Sequence, residues 1–129
     1  MRRQFDLTER DRVFLEARSL VWETIIENNQ RWLIIHAYRI VGGYDHSYAM
    51  AAINISSGYP DTQLDMVYFY PHLALSNGRF IGALTSHHLD GKIWQRWSRH
   101  RTQQNPWRAG LDDLSTHFAL VDYWLEREV

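Results

Sequence analysis

The 129-residue chain contains no cysteine and only three prolines. Without thiols there are no disulfides, no thiolate zinc sites and no sulfur nucleophile. No segment approaches the apolar length needed to span a bilayer, and Met1-Arg2-Arg3-Gln4-Phe5-Asp6 lacks the apolar run of a secretory signal. A soluble, cytoplasmic protein without membrane association is therefore expected. An excess of charge is missing too: the formal net charge is −1, so the whole molecule does not attract nucleic acid electrostatically. Any basic surface must be local.

Aromatic residues, in contrast, are plentiful. Six Trp, seven Tyr and five Phe can fill a real core in a chain of this length, so a single domain over residues 1–129 is expected. Thr8 can cap a helix with Asp11 at its third position and Val13, Phe14, Ala17 and Leu20 as its apolar face. Residues 22–26, 32–40, 48–55 and 66–70 are rich in β-branched and aromatic side chains and read as strands. Turn chemistry separates them: Asn28-Asn29, Gly42-Gly43-Tyr44-Asp45, and Ser56-Ser57-Gly58-Tyr59-Pro60-Asp61. Short links favour an antiparallel meander.

From 71 to 110 the apolar period dissolves, with Asn77-Gly78, Asp90-Gly91 and Asn105-Pro106 as punctuation. Loops of that length in a compact domain are usually functional. Asp112 or Asp113 then caps a closing helix with Leu114, Phe118, Val121 and Leu125 on one face. The expected fold class is α+β: an N-terminal helix, a four-stranded meander, a long loop and a C-terminal helix.

That order, with the punctuation around the fourth strand, resembles the ubiquitin-conjugating enzyme superfamily over nearly the whole chain. Tyr59-Pro60 stands where that superfamily has a Tyr-Pro pair, and Tyr70-Pro71-His72 where it has His-Pro-Asn. Ser76-Asn77-Gly78 begins the catalytic approach, and Trp97-Ser98 matches the Trp-Ser beyond it. The run Trp94-Gln95-Arg96-Trp97-Ser98-Arg99-His100-Arg101, followed by Asn105-Pro106-Trp107-Arg108 and Asp112-Asp113-Leu114, is similar to a bacterial branch associated with ubiquitin-like modifiers and their activating enzymes. The resemblance implies those two proteins as partners, a protein lysine as acceptor, no cofactor, and a setting such as bacterial antiviral defence.

The superfamily's catalytic cysteine would fall near Ile81 counting from Asn77-Gly78, and near Leu89 counting back from Trp97-Ser98. Neither is a nucleophile. His72 also replaces the asparagine that helps stabilise the oxyanion in cysteine-dependent relatives. An acyl carrier in this chain must be a hydroxyl, forming an oxyester, and a hydroxyl needs a positioned base and an oxyanion partner. Ser98 with His100 is the first candidate, since residues two apart share a face in extended geometry. Arg96 and Arg99 would orient a modifier's C-terminal carboxyl group. In a helical turn the two would point apart, and Ser98 would be a cap with Trp94 and Trp97 as core anchors.

Thr85 and Ser86 followed by His87 and His88 form a second candidate, inside the segment that should hold the cysteine. Ser115 with His117 is a third, on the closing helix. Asp65, Asp112 and Asp113 are the carboxylates nearest these segments, and Asp90 or Asp112 could steer or deprotonate an incoming lysine, with helix capping the plainer role for Asp112 and Asp113. His72, His87, His88, His100 and His117 show no zinc-motif spacing, so no metal site is expected. Lys92, Arg96, Arg99, Arg101 and Arg108, interleaved with Trp94, Trp97 and Trp107, also suit single-stranded nucleic acid. A protein-facing role is preferred, because a modifier tail and an activating enzyme need a basic, aromatic docking surface as well. The chain is thus expected to transfer a ubiquitin-like modifier through a serine ester, or else to be a catalytically silent scaffold for that modifier or its activating enzyme.

Overall fold

A computed structural model describes residues 1–129. Helix α1 (Glu9–Ala17) starts where Thr8 accepts a hydrogen bond from the Asp11 amide, 3.2 Å away. Its inward face differs from the expected one. Asp11 and Leu15 are buried and Phe14 is half-buried, whereas Val13 and Ala17 face solvent. Strands β1 (Trp22–Glu27) and β2 (Gln30–Arg39) form a hairpin closed by Asn28 and Asn29, with φ of 52° and 61°. The left-handed region suits a two-residue turn between right-twisted strands, and Asn tolerates it. Strands β3 (Tyr48–Ile55) and β4 (Val67–Tyr70) complete the expected antiparallel meander.

The sheet has six strands rather than four. A second hairpin, β5 (Leu84–Leu89) and β6 (Lys92–Trp97), occupies the middle of the expected long loop. Asp90 and Gly91, at φ 52° and 71°, are its turn. Strand β6 pairs with β4, matching Val67 with Trp97, so the sheet order is β1-β2-β3-β4-β6-β5.

One face of the sheet presents Leu33, Ile35, Ala51, Ile53, Val67, Phe69 and Trp97 to Leu15 of α1 and to the closing helix α2 (Leu114–Glu128). Asp113 caps α2 in a reciprocal box with Thr116. The two helices join through Asp11, whose carboxylate accepts from the Leu114 amide (3.1 Å) and from the Tyr59 hydroxyl (2.5 Å). Phe14 stacks on Phe118 at 6.2 Å.

The opposite face has no helix over it, yet Ile25, Trp32, Ile34, Ala52, Tyr68, Leu89 and Trp94 form a second buried cluster there. Twist curls the sheet until its two edges meet. The Asp90 amide donates to Glu27 at 3.1 Å, and Arg2 bridges Glu23 and Asp90 at 2.8 and 2.7 Å. The β5–β6 hairpin therefore serves as the lid of the second core. No helix is long and apolar enough to cross a membrane.

Candidate functional site

After β4 the chain crosses a cis Tyr70–Pro71 bond, and a cis bond also joins Tyr59 to Pro60. His72 then faces solvent while Leu73 and Leu75 turn inward. Buried Gln95 of β6 fastens this stretch: its side chain accepts from the Leu73 amide and donates to the Leu73 carbonyl, both at 3.0 Å. The same Gln95 oxygen accepts from the Trp97 indole at 2.9 Å. Gly78 has φ 77° and lets the chain turn back, exposing Arg79 and Phe80. Phe80 is 90% exposed, and neighbouring Arg79 donates to the Glu128 carbonyl at 2.5 Å.

Both positions counted for a catalytic thiol are packed aliphatic groups. Ile81 belongs to the helix-covered core and Leu89 to the curled-sheet core. The hydroxyl candidates are separated from their bases as well. Ser98 lies just past β6, and the Arg99 amide turns back to the Trp97 carbonyl (2.9 Å), which ends the extended geometry on which the pairing with His100 rests. No hydrogen bond joins Ser98 to His100. Instead His100 Nδ1 sits 3.0 Å from both oxygens of Asp65.

Ser86 and His87 are consecutive on β5 and point to opposite faces. His87 shares its face with Thr85 and rests 5.3 Å from Trp32 and 5.0 Å from Tyr68, centroid to centroid. Burial, then the Arg96 charge, lowers its pKa. Arg96 donates to the Thr85 hydroxyl at 2.9 Å. Ser115 Oγ donates to the Asp113 carboxylate, and His117 is buried. His117 Nε2 donates to the Met66 carbonyl at 2.9 Å, and burial lowers its pKa to about 4, so the ring is neutral.

Of the expected partner-binding aromatics, Trp94 and Trp97 are fully buried. They offer no docking face, because β6 is an interior strand of the sheet and each ring points into one of the two cores on its opposite faces. Trp107 is half-buried, donates to the Pro60 carbonyl at 3.0 Å and packs near Tyr59.

The arginines do converge. Arg99, Arg101 and Arg108 line an open groove of about 840 Å³ between the 99–112 segment and α2. Arg99 pairs with Glu128 at 3.0 Å. Arg101, only 5% exposed in its side chain, lies over the Trp107 ring, 3.7 Å from Asp112 and 3.3 Å from Asn105. Asp112 is buried. Burial alone would raise its pKa, but the Arg108 amide, Thr116 and the two guanidinium groups hold it below the usual range.

The α2 side of the groove escapes the sequence reading. Thr116, Leu120, Tyr123 and Arg127 recur at helical spacing beside the core face, the signal that would have found it. No group of three or more His, Asp or Glu side chains is arranged to hold a metal ion.

A helix, a curled antiparallel sheet, a segment fastened behind β4 by Gln95 and a closing helix define an α+β protein of the ubiquitin-conjugating-enzyme type. The family model described as Prokaryotic E2 family E matches residues 7–128, and the chain belongs to that family. No curated protein and no solved structure matches it.

Proposed function

We propose that the chain is a docking member of a ubiquitin-like conjugation pathway, binding a ubiquitin-like modifier or its activating enzyme in the cytoplasm without carrying the acyl group itself. One observation carries this reading: where a thiol would stand, the chain has Ile81 and Leu89, both packed into cores. A nucleophile needs exposure and a base within about 3 Å. Support for docking comes from the basic groove and from Phe80, an exposed aromatic anchor of the type that dominates protein interfaces.

A second reading rests on the Asp65–His100 pair. A carboxylate on Nδ1 leaves Nε2 as the free nitrogen, the arrangement of an oriented general base, two residues from Ser98. In that reading Ser98 Oγ attacks the modifier's thioester carbonyl, the C–S bond breaks, and the departing thiolate receives the proton that His100 took from Ser98. A lysine amine then attacks the ester and Ser98 Oγ leaves, protonated again. Nucleic-acid binding is the weaker rival. Trp94 and Trp97 cannot stack on bases, and three of the groove's arginines already face carboxylates.

The test incubates the chain with its cognate activating enzyme, ATP and modifier, and reads both complex formation and intact mass. Docking predicts a complex without added mass. A base-labile adduct that disappears in Ser98→Ala establishes the second reading. Neither complex nor adduct under active conditions overturns both. Salt-sensitive capture of single-stranded DNA would favour the rival.

A further inference from the structure

The geometry points to the groove between the 99–112 segment and α2 as a binding site for the free α-carboxylate at the end of an extended polypeptide. The inference deepens the docking reading, and rests on it in taking the partner to be a protein.

Arg101 is the centre of the site. Its side chain is 95% buried, yet its Nε–H has no hydrogen-bond partner and its nearest carboxylate, Asp112, is at 3.7 Å, beyond hydrogen-bond reach. Asp112 Oδ2 is already committed to the Arg108 amide at 2.7 Å. A buried guanidinium with an idle donor is costly unless an acceptor meets it. Four guanidinium groups line the groove, from Arg99, Arg101, Arg108 and Arg127, against the carboxylates of Asp112 and Glu128. Two positive charges are left over. Arg127 has no acidic partner and lies 5.9 Å from the Tyr123 ring.

The planar fork of a guanidinium matches a carboxylate. The far wall, formed by Leu120 and Trp124, suits apolar side chains, and about 840 Å³ is the size of a site for a few residues. A phosphate backbone fits less well. It carries one charge at every nucleotide and needs a continuous row of cations, whereas the two surplus charges of this groove are interrupted by Asp112 and Glu128. A polyacidic segment meets repulsion at the rim, where Glu128 stands and where His100 holds Asp65. A single terminal carboxylate following apolar residues brings one charge, which the surplus of two accommodates, and no second carboxylate to the rim. Only a chain end reaches a buried cation without its backbone having to continue past it.

The test records arginine Nε–H nuclear magnetic resonance spectra of the full chain, with the Arg101 signal assigned by its loss in Arg101→Lys. Three peptides are titrated: acetyl-Ala-Leu-Ala as the free acid, the same peptide as its C-terminal amide, and acetyl-Ala-Glu-Ala amide. Inorganic phosphate and a short oligothymidine are further arms. The expected result is a saturable shift of Arg101 Nε–H with the free acid, at least about tenfold weaker with either amide. Binding should fall several-fold in Arg108→Gln and in Arg127→Gln, both on exposed side chains. An equal response to the amides, a tighter one to phosphate or oligothymidine, or no saturable shift overturns the inference. Capture of the modifier that is unchanged in both variants overturns it while leaving the docking reading intact. A free-acid response without any capture of modifier or activating enzyme does the reverse.

Discussion

Arg2 donates to both carboxylate oxygens of Asp90, at 2.9 and 2.7 Å, although Arg2 runs beside β1 at one edge of the six-stranded sheet and Asp90 is in the turn that leaves β5 at the other. Its Nε also meets Glu23 at 2.8 Å, and Glu23 in turn lies 2.5 Å from His36. The latch closes the helix-free core over Trp32 and Trp94.

Opening the latch should loosen β5 before it unfolds the rest. Arg2→Gln is expected to cost about 1 kcal/mol, modest because the guanidinium is partly exposed. Hydrogen exchange should quicken in β5 while α2 stays protected. Arg2 first, then His36, holds the Glu23 carboxyl down to about 2 against burial. A depressed carboxyl stabilises the fold above its unfolded pKa of about 4.5, and that stability is lost as pH falls toward 2. Urea midpoints between pH 5 and pH 2 should therefore fall less steeply in Arg2→Gln.

His117 gives a separate acid response. Its ring is buried neutral, with a folded pKa near 4 against an ordinary value of 6.5. Between these values the unfolded chain binds the extra proton, so stability drops on acidification from pH 6.5 to 4, by roughly 3 kcal/mol at most. His117→Gln keeps a donor near the Met66 carbonyl and should flatten the pH dependence of the urea midpoint in that window. An unchanged slope would exclude His117 as its source.

Asp11 ties the two helices together. Asp11→Ala strands the Leu114 amide and the Tyr59 hydroxyl in the interior and is expected to cost about 3 kcal/mol, read as a lower melting temperature. Asp11→Asn keeps an acceptor for one of them and should cost less.

Core and docking roles separate at two aromatic side chains. Trp97→Ala should cost about 3–5 kcal/mol by leaving a cavity between β6 and the helices. Phe80→Ala should leave the melting temperature unchanged, since the ring touches almost nothing, while weakening capture of the modifier or activating enzyme about tenfold. Equal capture by Phe80→Ala and the parent chain would remove Phe80 from the interface.

Strands rich in β-branched and aromatic residues were legible from pattern, and so were the Asn28-Asn29 turn and the α2 apolar face. The β5–β6 hairpin was not. Its strand Leu84-Thr85-Ser86-His87-His88-Leu89 is a half-exposed edge with polar interior positions, so its hydrophobic alternation is faint. Asp90-Gly91 was visible as a turn, but a turn is read as a hairpin only when both flanks read as strands. The site suffered the same limit. The pairing of Ser98 with His100 assumed continued extension, and the backbone turns at Ser98; Asp65, the actual partner of His100, is 35 residues away.

By itself the sequence determined that no thiol chemistry is available, that the elements follow the order of a ubiquitin-conjugating fold, and that basic and aromatic groups concentrate between residues 92 and 108. These are properties of composition and local period, which act through neighbours along the chain. Only the tertiary structure decided which of those groups are surface. It drew Trp94 and Trp97 into two cores on opposite faces of β6, and it joined Arg99, Arg101 and Arg108 to the outer face of α2 as one groove. Burial and charge pairing are set by contacts between distant segments: curling of the sheet closed one core, and packing of α2 on the other face formed the second core and the groove.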